Sequence, residues 1–346
     1  MLDFIINNMK KILITGGAGF VGYHLARHLL KKRDNFLTIV DNLQRGKMDA
    51  DFSALLKDKR IKFIKADLTK QDFYKKLDSD FDHVYHLAAI NGTKLFYEMP
   101  QEVLRIDILA LVYILEWIKN LPKKPKLCFT SSNEAYAGAL ESFGKLPIPT
   151  PENVPLVISD PYNARWSYGA TKLVGELFVI HYAKAYNFPA VIVRPHNFYG
   201  PRAGYDHVIP EFCLRIINKV DPFAIYGAED TRTFCYIDDA VEAMQMLMDS
   251  AKTNGQPIET VHIGATDEIV MLDLAKKLFN ITGWQPKKLD IKSSPPGSVK
   301  RRLADISKIK RLVGWKPKTS LEDGLRRTFA WYKKTPEIKY GNRKKN

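Results

Sequence analysis

A phenol and an amine stand four residues apart in Tyr168-Gly-Ala-Thr-Lys172, a spacing that puts both on one helix face, one turn apart. An ammonium beside a phenol lowers its pKa toward neutrality. The phenolate can then take the proton of an alcohol while hydride leaves the same carbon. The same spacing recurs at Tyr340 and Lys344, but in a basic tail where no helix or sheet is expected. Only the first copy opens an amphipathic helix that runs toward a buried strand; the bland alternative is a pair of surface residues. A second knot of polar groups, Thr130-Ser-Ser-Asn-Glu-Ala-Tyr136, follows the apolar run Lys126–Phe129. Open α/β sheets carry their chemistry at the carboxyl ends of strands, which makes Ser132, Asn133 and Glu134 candidates to face a reacting group.

Near the front, Ile12-Leu-Ile-Thr-Gly-Gly-Ala-Gly-Phe-Val-Gly22 places glycines between an apolar run and an amphipathic one. Gly16, Gly19 and Gly22 stand three residues apart, and Gly17, Gly19 and Gly22 satisfy the dinucleotide pattern as well. Glycines allow the tight turn and a close backbone approach to a pyrophosphate, which the helix N-terminus then holds. Phe20 and Val21 would sit in that first helical turn. An acid ends the second apolar run: Asp41 would accept both ribose hydroxyls and repel a 2′-phosphate, favouring NAD over NADP. Asn42 adjoins it, and Arg45 pulls the other way, because a guanidinium could meet a 2′-phosphate.

The elements that must position these groups read from periodicity. Runs 11–15, 36–40, 61–65, 83–87, 126–130 and 190–194 have the length and composition of buried parallel strands. Helical stretches lie between them, among them Tyr23–Lys32, Val103–Lys119 and Lys172–Tyr186. This alternation predicts an α/β fold, a doubly wound parallel sheet of Rossmann type. After Gly200 the regularity weakens. Residues 9–200 read as a dinucleotide-binding domain with the catalytic residues, 201–332 as a smaller substrate-binding lobe interwoven with the sheet, and 333–346 as a basic, disordered tail. A proline-studded segment between Tyr136 and Tyr168 is long for a structureless loop, which suggests a functional one.

Composition excludes several classes. A net charge of +15 over 346 residues raises nucleic acid as a partner. The basic residues are dispersed, however, except at Lys300-Arg301-Arg302 and in the tail, and no aromatics interleave with them. A small polyanion fits the charge equally well. Three scattered cysteines give neither a metal-ligand spacing nor a disulfide framework, and point to a reducing, cytoplasmic compartment. No apolar run is long enough to span a membrane, and the opening stretch is too short for a secretion signal.

Taken together, TGGAGFVG, VDN, ADL (66–68), HLAA (86–89), TSS (130–132), YGATK, RPHNFYGPR (194–202), TRTFCYIDDAVEA (231–243) and GWKPKTSLEDGL (314–325) resemble the extended short-chain dehydrogenase/reductases, specifically the nucleotide-sugar epimerase/dehydratase family. The resemblance covers about residues 10–332. It implies an NAD-dependent enzyme acting on a nucleotide-diphosphate sugar through a transient 4-keto intermediate, and a homodimer built on a four-helix interface. Asp67 and Leu68 would hold adenine, while Leu87, Ala88 and Ala89 would line the cofactor cleft. Ser132 would hydrogen-bond the sugar hydroxyl beside Tyr168, Asn197 would contact the substrate, Arg232 its pyrophosphate, and His207–Pro210 its base. The family's frequent Arg-Pro-Gly-Asp is here Pro295-Pro-Gly-Ser298, so Arg301 or Arg302 would have to substitute. Within the family the turn after the fifth strand sorts the reactions, and Ser132-Asn133-Glu134 matches none of the usual patterns. Asn133 cannot donate an acidic proton, which disfavours a 4,6-dehydratase. Glu134 is either a C5 base or a carboxylate that supports the turn from outside the chemistry. Thr93, Lys94 and Tyr97 either contact the sugar or belong to a solvated loop. Net epimerisation is the first expectation. Decarboxylation, 4,6-dehydration and 4-dehydrogenation are alternatives, as is, from another class, a non-catalytic NAD-binding scaffold.

Overall fold

The computed structural model describes residues 9–255, 258–294 and 299–335, apart from the side chain of Thr93. The second Tyr-x-x-x-Lys, the Pro295–Ser298 departure and residues 336–346 of the tail lie outside the described residues.

Seven parallel strands form the central sheet: β1 (Lys10–Thr15), β2 (Asn35–Asp41), β3 (Ile61–Lys65), β4 (His83–His86), β5 (Lys126–Thr130), β6 (Ala190–Pro195) and β7 (Glu259–Ile263). Their order is β7-β6-β5-β4-β1-β2-β3, so the winding reverses between β1 and β4. Thr15 pairs with His86 at that reversal, and their side chains bond at 2.9 Å, closing the floor of the crevice where such folds bind ligands. Six of these strands coincide with the predicted runs to within a residue or so. The seventh, contributed by the later part of the chain, was not foreseen.

Side chains alternate across a strand, so each strand supplies both faces. Ile12, Ile14, Val191 and Val193 enter one core with α1 (Phe20–Leu29) and α5 (Ile237–Asp249). Leu13, Val40, Ala190 and Ile192 enter the other with α3 (Pro100–Asn120) and α4 (Trp166–Tyr186). Fully burying a Val, Leu or Ile contributes about 1.5–3 kcal/mol, so the two layers hold the strand ends firmly in register. Pro100 starts α3 where its missing N–H costs nothing, and α4 ends at Asn187, whose left-handed φ of 50° stops the helix. The stretch 91–100, read as either a wall of the sugar pocket or a solvated loop, contains a short helix, α2 (Thr93–Glu98).

Beyond residue 200 the chain adds β7 and α5, and a three-stranded patch in which Thr231–Arg232 lies between Ile269–Val270 and Arg301–Arg302. It closes with α6 (Leu321–Lys334), whose Trp331 Nε1 donates to Asp51 across the structure at 2.8 Å.

Candidate active site

The glycine turn forms the head of a cavity of about 490 Å3. Gly16 has φ of +73°, and a Cβ there would lie 2.8 Å from the Ala88 backbone. A Cβ on Gly22 would lie 2.4 Å from the Gly16 carbonyl oxygen, so the helix can approach the turn only without a side chain. No side chain caps α1 and no acid sits in its first turn, which leaves its opening N–H groups to an anion. Gly16, Gly19, Phe20, Val21, Gly22, Asp41, Asn42, Arg45, Asp67, Leu68, Leu87, Ala88 and Ala89 all line this cavity. Asp41 is oriented by the N–H groups of Ala18 at 3.0 Å and Leu43 at 2.8 Å. Burial raises its pKa against those two bonds. Two bonds leave a carboxylate room for further donors. Asp67 accepts from both the N–H and the hydroxyl of Thr69.

One wall of this cavity was not anticipated. Arg202 to His207 and Trp331, all from the later part of the chain, also border it, and Arg202 reaches the Ala18 carbonyl of the glycine turn at 3.4 Å. Arg202 is clasped to Asp49 at 2.7 Å and lies 4.3 Å over the Tyr23 ring.

Tyr168 and Lys172 lie in the first half of α4, buried at 7% and 4% exposure, with the ammonium 5.2 Å from the phenol ring centroid. Ser132, at the end of β5, is buried beside them and accepts the N–H of Glu134 at 3.1 Å. Phe96 of α2 stacks flat on the Tyr168 ring, 4.9 Å between centroids. With the protein's own groups alone, the phenol sits above its ordinary pKa rather than below it. Burial is the main cause, followed by Asp107 and Glu134, while the Ser132 hydroxyl pulls downward. Burial likewise lowers Lys172. The dry setting thus opposes the expected activation, which leaves a bound cation to complete it.

Glu134 does not point freely into the site. Arg302 Nη1 donates to it at 2.8 Å and to the Asn133 side-chain oxygen Oδ1 at 3.2 Å, while Arg165 approaches its other carboxylate oxygen at 3.5 Å. Burial works against its charge, but the Arg302 and Arg165 guanidinium groups outweigh it and hold the carboxyl below its usual range. Arg232 stands next to this group, paired in register with Arg302, and is lowered to about 10 by burial and by Arg302. Arg301 instead faces outward and is bound by Glu268 at 2.6 Å. Asn197 adopts φ of 43° and ties its amide to the Thr233 carbonyl at 2.9 Å. Thr93 begins α2, and its side chain is outside the described residues. Arg165, Arg302, Phe96 and Arg202 were the groups that sequence reasoning passed over or left unassigned. The prior signals were the RPHNFYGPR motif, which contains Arg202, and the Arg301-Arg302 pair, whose two members the sequence alone did not tell apart.

The model of the GDP-mannose 4,6 dehydratase family matches residues 13–328. UDP-N-acetyl-alpha-D-glucosaminuronate decarboxylase of Bacillus cytotoxicus is 34% identical over 333 residues, covering 94% of this chain and 98% of that protein. Among solved structures, UDP-glucuronic acid 4-epimerase of Bacillus cereus, in complex with UDP-glucuronic acid and NAD, aligns with a TM-score of 0.82 at 30% identity over 93% of this chain and 99% of its own. UDP-glucose 4-epimerase of Thermotoga maritima, with UDP-glucose, aligns with a TM-score of 0.81 at 28% identity over 94% and 99% of the two chains. The chain belongs to this family, the extended short-chain dehydrogenase/reductases that act as nucleotide-sugar epimerases, decarboxylases and dehydratases.

Proposed function

We propose that the chain converts a nucleotide-diphosphate sugar through a transient 4-keto intermediate, with NAD as cofactor and epimerisation at C4 as the net outcome. The observation that carries this reading is the buried Ser132, Tyr168 and Lys172 group, packed at Tyr168 against Ala89 and Ile90, which line a cavity headed by an uncapped, glycine-built helix start. The residues present suit NAD: Gly16 and Gly22 leave room for a pyrophosphate, Asp41 keeps lone pairs for the ribose, and Asp67 and Leu68 border the far end. When bound, NAD supplies the hydride acceptor and a positive charge. Tyr168 takes the C4 hydroxyl proton, Lys172 favours the phenolate, and Ser132 orients the hydroxyl. Asn197, Arg232 and Arg302 are assigned to the substrate's sugar and phosphates. Arg301 is left out of this set, because its guanidinium is engaged by Glu268.

Decarboxylation of a nucleotide uronic acid is the second reading, and one observation favours it. Three guanidinium groups, Arg165, Arg232 and Arg302, gather near Glu134, and with Asp230 paired to Arg232 at 3.5 Å only two carboxylates face three cations. Two of the similar proteins named above act on nucleotide uronic acids. Dehydration is the least supported, since Asn133 offers no acid and a carboxylate held down by arginines is a weak C5 base. We also infer a homodimer through α3 and α4, where Leu104, Val174, Leu177 and Tyr186 remain exposed. Leu115 and Val179 of the same two helices belong to the chain's own core and are not part of that face. The free, buried cysteines favour a reducing cytoplasmic setting, and no described helix is long and apolar enough to cross a membrane.

Incubation with a panel of nucleotide sugars and NAD, with product masses recorded, separates the outcomes. An unchanged mass with inverted C4 supports the epimerase. Loss of CO2 supports the second reading, and inertness toward every nucleotide sugar contradicts both.

A further inference from the structure

Among the carboxylates of α3, only Asp107 is buried, at 6% exposure. A carboxylate in such a place is costly unless its charge is used. One oxygen accepts the N–H of Ile90 at 2.7 Å, and the other lies 3.1 Å from the Thr171 hydroxyl, which shares its proton with the Tyr168 carbonyl at 2.8 Å. Both donors are neutral. An amide side chain could serve Ile90 through its oxygen and Thr171 through its nitrogen. What an amide lacks is the negative charge.

The residue after Thr171 is Lys172. Its ammonium forms no hydrogen bond or ion pair with any described residue, and its close neighbours are the rings of Tyr168 and Phe129, at 5.2 and 5.4 Å. Each element packed around it can be named. From β4 comes His86, held neutral by burial and then by Lys172 itself, with its pKa lowered to about 3. From β5 comes Phe129, which carries no charge. On its own helix stand the neutral phenol of Tyr168 and Glu176, whose oxygens are taken by Arg194 and Ser131. From α3 comes Asp107. Burial lowers the Lys172 pKa and Asp107 opposes it; burial raises Asp107 and Lys172 is the first influence against that rise.

We propose that Asp107 is the buried counter-ion of Lys172 and, through it, a positioning residue for the Tyr168 phenol, while the same carboxylate ties the cofactor wall at Ile90 to the catalytic helix at Thr171. Ile90 lines the dinucleotide cavity, so one side chain links that wall to the charge that serves the base. The catalytic half of this proposal rests on the reading of Tyr168 as general base. The charge coupling does not.

Two measurements test it. The first is a thermal-unfolding cycle on the full chain, Asp107→Asn, Lys172→Met and the double variant at pH 8. Lys172→Met strands a buried carboxylate and lowers Tm by several degrees. Adding Asp107→Asn to that background raises Tm again, although Asp107→Asn alone lowers it. An anchor of Ile90 and Thr171 without charge coupling would shift Tm equally in both backgrounds, and that additivity overturns the counter-ion. The second is the pH profile of turnover with the active nucleotide sugar. Without its counter-ion Lys172 loses its proton at lower pH, so the alkaline limb of Asp107→Asn moves down by roughly one pH unit or more. A non-additive Tm cycle with an unmoved limb overturns the positioning role. Absence of turnover in the unmodified chain would fail the proposed function while leaving the Tm cycle readable.

Discussion

The two ends of the site are built in different ways. The end proposed for the cofactor is headed by local structure, a turn of glycines, an uncapped helix start and one carboxylate at a strand end, all within residues 12–41 of the chain. The end proposed for the sugar is made by side chains converging from afar, with Glu134 from the turn after β5, Arg165 from the start of α4, Arg302 from a two-residue strand and Phe96 from a six-residue helix. Local backbone demands leave a spacing in the sequence. Long-range convergence of charges leaves none, because each arginine is individually ordinary.

The sharpest way to test the chemistry between the two ends is Tyr168→Phe. Loss of the general base lowers kcat about 10²–10⁴-fold. Substrate affinity stays nearly unchanged, because the proton transfer is felt in the transition state. Steady-state kinetics with the active sugar check both statements, and near-normal turnover would remove Tyr168 from the mechanism.

At the cofactor end, Gly22→Val should eliminate dinucleotide binding detectable by calorimetry, since even a Cβ lies 2.4 Å from the Gly16 carbonyl oxygen. Binding of NAD at the affinity of the unmodified chain would show that the turn tolerates what its geometry forbids.

At the end proposed for the sugar, Arg302→Met removes the guanidinium group that lies nearest to Glu134 and does most to hold it down. We expect a stability loss of about 1.5–3 kcal/mol at pH 7, as for a hydrogen bond to a charged group. The sign follows from the lowered pKa of Glu134: its stabilisation is present above the ordinary carboxylate range and is lost as pH falls through the depressed value. The difference between the two proteins should therefore shrink in acid. Denaturant unfolding at pH 7 and pH 3 measures it, and an equal gap at both would show that Glu134 and Arg302 are not coupled.

The smallest effect belongs to Asp41→Ala. It should erode the preference for NAD over NADP by roughly tenfold, equivalent to about 1.4 kcal/mol of discrimination. Equal affinities in the unmodified chain would refute the assignment outright.

The same contrast explains how far the sequence could be read. Strands β1 to β6 were visible because each is a short apolar run between turn signals, and the reversal between β1 and β4 follows from that alternation. Strand β7 was missed because Glu259-Thr-Val-His-Ile263 begins with polar residues at a sheet edge, well separated in sequence from its partner β6. Helix α2, with six residues and no side-chain cap, carries too little periodicity to announce itself. The sequence offered Arg301 and Arg302 together. Adjacent residues of a strand face opposite ways, so only the pairing with Thr231–Arg232 decides that Arg302 turns inward while Arg301 meets Glu268. Of the cavity wall from Arg202 to His207, only Arg202 ended a quoted motif and His207 began the stretch expected at the substrate's base, and nothing local says that the segment crosses to the cofactor side. The elevated Tyr168 phenol was also illegible, because it depends on burial and on Asp107, far away in the sequence.

The account stands most directly on removal of hydrogen from C4 of the sugar. A single turnover with the active nucleotide sugar carrying deuterium at C4 tests this, followed by the absorbance of reduced nicotinamide and the mass of the product. We predict a transient reduced cofactor, slowed formation relative to the protiated sugar, and deuterium found in product or cofactor but not in water. Turnover with no reduced nicotinamide and with deuterium lost to solvent would contradict the account.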